Sequence, residues 1–79
     1  MMNEFKISLC TIDKVKNFCR IASAITPDMD IISGRYVIDA KSVMGIFSVD
    51  LSNPLTLRVR TTNEKECKDI RKKLKDFVI

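Results

Sequence analysis

Asp28-Met29-Asp30-Ile31-Ile32-Ser33-Gly34-Arg35-Tyr36-Val37-Ile38-Asp39 sets two short runs rich in Ile, Val and Tyr on either side of the pair Ser33-Gly34. β-Branched and aromatic side chains suit a pleated backbone, and glycine adopts the positive φ that a tight hairpin turn requires. The stretch therefore predicts two adjacent antiparallel strands over residues 28–33 and 35–39. On its N-terminal side the apolar period changes. Val15, Phe18, Cys19, Ala22 and Ile25 form a stripe along one side of a helix, with Thr11 or Asp13 as the capping residue and Pro27 as the stop. Before it, Phe5, Ile7 and Leu9 alternate with Lys6 and Ser8, the period of a half-buried strand.

On the C-terminal side, residues 42–48 read as a short helix that is apolar nearly all round. Leu55, Leu57 and Val59 alternate with Thr56, Arg58 and Arg60 after the Asn53-Pro54 break, which predicts a fourth strand. Cys67, Ile70, Leu74 and Phe77 then mark a longer amphipathic helix, with Asn63 and Glu66 spaced as a variant capping box. The order is βαββαβα. The economical arrangement is an α+β open-faced β-sandwich: one four-stranded antiparallel sheet with three helices on a single face. A ferredoxin-like fold is the nearest competitor, but it needs a longer middle helix. No linker or repeat interrupts the pattern, so residues 1–79 are expected to form one domain.

Composition narrows the chemistry. The 79 residues are 46% hydrophobic and 30% charged. A chain of this size buries only about 60% of its unfolded surface, so a deep enclosed active site is not expected. There is no histidine, which removes imidazole acid–base catalysis, Ser/His or Cys/His nucleophiles and histidine-ligated metals. The three cysteines, Cys10, Cys19 and Cys67, form no Cys-x-x-Cys pair and read as buried thiols of a reducing cytosol, with neither disulfide nor metal site. No apolar run approaches the ~20 residues of a membrane helix. A cytoplasmic, non-catalytic protein without cofactor or metal is expected.

The net charge of +4 arises entirely in the second half. Lys65, Lys68, Arg71, Lys72, Lys73 and Lys75 are interleaved there with Glu64, Glu66, Asp69 and Asp76. A basic tract divided by acids reads as a solvated helix face, laced by pairs such as Glu64–Lys68 and Asp69–Lys73, rather than as a nucleic-acid site. Arg58 and Arg60 on the fourth strand extend it, and a nucleic-acid-binding module is the weaker alternative reading.

The segment Gly34-Arg35-Tyr36-Val37-Ile38-Asp39-Ala40-Lys41-Ser42-Val43-Met44-Gly45-Ile46-Phe47-Ser48 resembles HPr, the phosphocarrier family of the bacterial phosphoenolpyruvate-dependent sugar phosphotransferase system. In that family a Gly-turned hairpin leads into Ala-Lys-Ser-Ile-Met-Gly and a short apolar helix. Residues 40–45 differ from that string only by Val43, and the βαββαβα order matches the family's fold. The family carries its phosphoryl group on a histidine at the start of the first helix, inside a Gly-x-His-Ala-Arg-Pro-like motif. Here the corresponding stretch is Leu9-Cys10-Thr11-Ile12-Asp13-Lys14, with Thr11 near the histidine's place and Asp13 near the arginine's. Asp13 would repel an incoming phosphoryl group where arginine attracts it. Phosphoryl transfer through histidine is impossible in this chain.

The catabolite-repression HPr-like proteins likewise lack the active histidine and keep a regulatory serine, which Ser42 matches. The resemblance implies an ATP-dependent kinase acting on Ser42 and a transcriptional regulator, or other proteins of the phosphotransferase system, as partners. A phosphate on Ser42 would face the free N–H groups of the short helix, with Lys41 as a further counter-charge. Val43, Met44 and Phe47 match positions that dock on partners in the family, while Ile46 and Val49 are expected to face the core. Ser42 also has a purely structural reading as a helix cap. Cys10, or Thr11, is a candidate substitute phosphoryl acceptor, since a helix N-terminus lowers a thiol's pKa. A small residue followed by a cap is the blander account of that pair.

Overall fold

The computed structural model describes residues 3–79. The elements run β1 (Glu4–Ile7), α1 (Ile12–Ala22), β2 (Met29–Ser33), β3 (Tyr36–Asp39), α2 (Val43–Phe47), β4 (Leu55–Val59) and α3 (Glu64–Lys73). The strands form one antiparallel sheet in the order β1-β4-β2-β3. Alternation decides its two faces. Ile7, Met29, Ile31, Leu55, Leu57 and Val59 are buried and meet Val15, Phe18 and Ala22 of α1, Ile46 of α2, and Cys67 and Ile70 of α3 in one core. The α+β open-faced sandwich expected from the sequence is the architecture found.

The hairpin sets the register. Ser33 pairs with Tyr36, which leaves Gly34 and Arg35 as a two-residue loop. Gly34 has φ +60° and no other residue type has positive φ among the described residues, a type II′ turn whose twist matches the strands it joins. The strands are each one residue shorter than expected at their N-terminal ends.

Two helix ends differ from the sequence expectation. α1 stops at Ala22, well before Pro27, because the ladder tightens. The Ser23 N–H still donates to the Cys19 carbonyl (2.9 Å), but Ala24 donates to Ile21 (3.1 Å) and Ile25 to Ala22 (3.0 Å). Ile25 is buried on this tighter turn rather than on the helix. At the other end, α3 closes at Lys73, and Phe77 enters the core from a turn in which its N–H donates to the Leu74 carbonyl (2.9 Å). Its ring meets Phe18 edge-on at 5.6 Å. Beyond it Val78 bridges Ile7, while Ser8 donates to the Phe77 carbonyl (2.8 Å) and Ile79 to that of Lys6 (3.1 Å). The outer edge of β1 is thereby covered, whereas β3 forms the opposite edge.

The capping expectation for α3 is met in altered form. Asn63 accepts from the Glu66 N–H at 3.1 Å, but the Glu66 carboxylate accepts from the Thr61 hydroxyl at 2.6 Å, and it is Thr61 that accepts from the Asn63 N–H at 3.2 Å. Of the two residues offered as caps for α1, the structure selects Thr11, whose hydroxyl accepts from the Lys14 N–H at 3.1 Å.

Candidate functional site

The segment entering α2 is held by short-range chemistry. The Asp39 carboxylate accepts from the Lys41 N–H (2.9 Å), the Ser42 N–H donates to the Asp39 carbonyl (3.0 Å), and buried Ala40 donates to the Met29 carbonyl (2.9 Å). The turn therefore hooks onto the sheet immediately before the helix begins. Ser42 has extended backbone (φ −99°, ψ 106°), and its hydroxyl oxygen accepts from the Gly45 N–H at 3.1 Å, satisfying one donor of the first turn. Gly45 leaves room for that approach, and any larger residue would require the Ser42 side chain to give by a few tenths of an ångström. A Cβ there would lie 3.2 Å from the Ser42 Oγ and 3.4 Å from its Cβ, against the cap itself.

Around this five-residue helix the side chains divide sharply. Ile46 is fully buried, while Met44 is 81%, Phe47 42% and Val43 41% exposed. Val49, expected in the core, is only half-buried and packs on its margin. α2 touches α1 and β3, so the first two helices form a continuous layer. At the start of α1, Cys10, Thr11 and Asp13 are all exposed, and so is Ile12, at 62%. Sequence reasoning passed over Ile12. It lies three residues before Val15, in phase with the buried stripe, yet its side chain reaches water. Apolar side chains exposed in a cluster are a mark of an interaction surface.

Several expectations need correction. Cys10 is not a buried thiol; it is exposed, and only Cys19 and Cys67 are buried. Burial pushes the Cys19 thiol pKa up. Lys41 does not turn towards Ser42: its ammonium donates to the Ile25 carbonyl at 2.7 Å, tying the entry of α2 to the turn after α1. The pairs Glu64–Lys68 and Asp69–Lys73 do not close, since the ion pairs among the described residues are Arg58–Glu4 (2.9 Å) and Arg60–Asp30 (2.7 Å). Those two give Arg58 on β4 and Arg60, one residue beyond its end, acidic partners that offset their charge. Among the described residues Asp30 is the one buried charged side chain, 6% exposed, and Arg60 grips both of its oxygens, Nε at 2.7 Å and Nη2 at 3.0 Å. Hydrogen bonding and attraction to Asp30 hold the Arg60 guanidinium further above its ordinary pKa.

The loop after α2 carries a third shifted group. The Ser52 hydroxyl (2.5 Å), Ser52 N–H (3.0 Å) and Asn53 amide (2.9 Å) all donate to the Asp50 carboxylate and lower its pKa, the Ser52 hydroxyl most. No group of three or more potential metal-ligating side chains occurs among the described residues, nor does any helix long and apolar enough to cross a membrane.

Set beside solved structures, the fold is familiar. The chain is similar to HPr-C-His of Thermoanaerobacter tengcongensis, with a TM-score of 0.72 and 26% identity over 95% of this chain and 89% of that one. It is similar also to the phosphocarrier protein HPr of Bacillus anthracis str. Ames, with a TM-score of 0.68 and 22% identity over 96% and 93%. No protein-family model matches the sequence, and no curated protein matches it. The chain has the HPr-like fold across nearly its whole length.

Proposed function

We propose that this chain is a cytoplasmic protein-binding module related to the phosphoenolpyruvate-dependent sugar phosphotransferase system, and that it docks on its partners instead of relaying a phosphoryl group through histidine. The observation that carries the reading is α2, where Val43, Met44 and Phe47 reach water from a helix whose sole buried member is Ile46. The HPr-like fold supports the connection to sugar uptake, and the absence of histidine argues against the relay. Met44 and Phe47 are the anchors, being large, adaptable and already at the surface.

Ser42 is the regulatory position in this reading. A kinase would move the γ-phosphoryl group of ATP to the Ser42 Oγ, with loss of the hydroxyl proton and release of ADP. The product would place about −1.5 to −2 charges at the edge of the apolar patch and change what a partner meets there. Partners are then proteins of the phosphotransferase system or a transcriptional regulator that reads the modified serine. Incubation with an ATP-dependent HPr kinase, followed by intact-mass spectrometry, should add one phosphate to the native chain and none to Ser42→Ala. Persistence of the adduct in that variant refutes the assignment.

Exposure of both Cys10 and Thr11 at the start of α1 favours one second reading, a phosphoryl carrier that uses either residue. Labelled phosphoenolpyruvate with enzyme I discriminates. The docking reading expects no label, and label lost in Cys10→Ser or Thr11→Val would replace it.

A further inference from the structure

The far side of the molecule carries a feature that docking through α2 does not use. Lys68, Arg71, Lys72 and Lys75 line an open groove of ≈ 500 Å³ together with Asp69 and Val78. The four cations are exposed, and no carboxylate among the described residues pairs with them. Basic residues in a last helical turn balance the negative end of the helix dipole, which accounts for Arg71 and Lys72. It does not account for Lys68, a turn earlier, or for Lys75, beyond the helix end. The Arg71 guanidinium lies 5.9 Å from the centre of the Phe5 ring, which holds one cation in place between α3 and β1. Covered by residues 77–79, the adjoining edge of β1 has no open strand to offer, so what the groove presents is charge and aliphatic side-chain surface.

We propose that this groove binds an acidic segment of a partner protein. Charge complementarity requires an anionic occupant. A carboxylate peptide fits better than a nucleic-acid backbone on three grounds. The groove's lining has no aromatic side chain on which a base could stack. The basic track is short, because Arg58 and Arg60 are occupied by Glu4 and Asp30 and cannot extend it across the sheet. Asp69 sits within the lining and demands a non-acidic residue opposite, which an alternating acidic peptide supplies and an unbroken row of phosphates does not. Val78 and the aliphatic stems of the lysines receive the intervening side chains.

The test is fluorescence anisotropy of the full chain with a labelled peptide of alternating Glu and Ser, its Gln–Ser counterpart, and a labelled oligouridylate. The Glu–Ser peptide should bind, with affinity falling as salt is raised. Lys68→Glu combined with Lys72→Glu should weaken it by roughly tenfold, and Lys68→Gln with Lys72→Gln by less, while Phe47→Glu leaves it unchanged. Both lysines are exposed, and unchanged circular dichroism would show that the pairs of substitutions fold. Failure of the Glu–Ser peptide to bind at low salt, equal binding of the Gln–Ser peptide, or undiminished binding by the reversed pair overturns the proposal. Tighter binding of the oligouridylate than of the peptide overturns it in favour of nucleic acid. Because Phe47 lies outside the groove, failure here leaves the docking role of α2 standing, and the reverse also holds.

Discussion

Ile46→Val and Met44→Ala, two positions apart on the same helix, should separate stability from recognition. α2 has five residues, whereas isolated helices shorter than about 12–15 residues are marginal in water. Its persistence therefore depends on tertiary anchoring, and Ile46 is the only buried side chain it supplies. Deleting one buried methylene costs about 0.5–1.5 kcal/mol, and truncation to Ala about 2–5 kcal/mol once the cavity is included. At 0.05–0.15 kcal/mol per residue, the 79-residue chain has roughly 4–12 kcal/mol in total. Ile46→Val should then lower Tm by about 4–8 °C for each kcal/mol lost, and Ile46→Ala should consume a large part of the whole. Met44, 81% exposed, has little packing to lose, and Met44→Ala should stay within about 0.5 kcal/mol of the native value. With no Trp and a single Tyr, far-ultraviolet circular dichroism is the probe of choice. Partner binding should show the opposite order, falling for Met44→Ala and recovering for Ile46→Val below its melting range. A loss for Met44→Ala as large as that for Ile46→Ala, or an Ile46→Ala melt coincident with the native one, would refute the account of α2 as a helix whose own single core contact is Ile46.

Three further outcomes follow from the same geometry. Arg60→Ala should destabilise more than Asp30→Ala, by about 1–3 kcal/mol, because it strands a nearly buried carboxylate while the reverse change returns an exposed guanidinium to water; chemical denaturation of both variants reads the difference, and equal losses contradict it. The Asp50 carboxyl should titrate below an ordinary aspartate in carbon-detected NMR. Since its folded pKa is lowered, its stabilising contribution is complete above the unfolded value and disappears as pH falls through the folded one, and Asp50→Asn should flatten that part of the acid limb. A thiol reagent should modify Cys10 rapidly and Cys19 and Cys67 only on opening of the fold; three thiols reacting at one rate would disprove their placement.

Why some elements were legible in the sequence and others were not comes down to where the deciding interaction lies. β4 could be read from its own alternation, because a strand with one buried face writes period two into its residues, and Leu55, Leu57 and Val59 are indeed the buried set. The hairpin could be read because positive φ has few tenants. The end of α1 could not: Pro27 is a strong local stop, but the helix yields earlier to a tight turn that carries Ile25 into the core. Phe77 kept its apolar phase while leaving the helix, since a turn can deliver a side chain to the same core that a further helical turn would reach. Charge was the least legible property. Glu64–Lys68 and Asp69–Lys73 have ideal spacing and do not pair, while Arg58 and Arg60 find partners 54 and 30 residues away.

The same distinction governs the candidate site. A run that is apolar on every side states that something must be exposed without stating which residues, for periodicity has no meaning in five residues that offer no polar face. The phase of α2 is set at its ends. Upstream, Ala40 is buried and its N–H is fastened to the Met29 carbonyl, while the Lys41 ammonium is fastened to the Ile25 carbonyl; downstream, Val49 and Leu51 rest against the core. With both ends held, Ile46 is the position turned inward and Val43, Met44 and Phe47 are left towards solvent. Exposure here results from attachment elsewhere rather than from any preference of the exposed residues. A patch held in that way is preorganised: its helix is already formed and its anchors are already out of the core, so a partner need not meet the cost of ordering them.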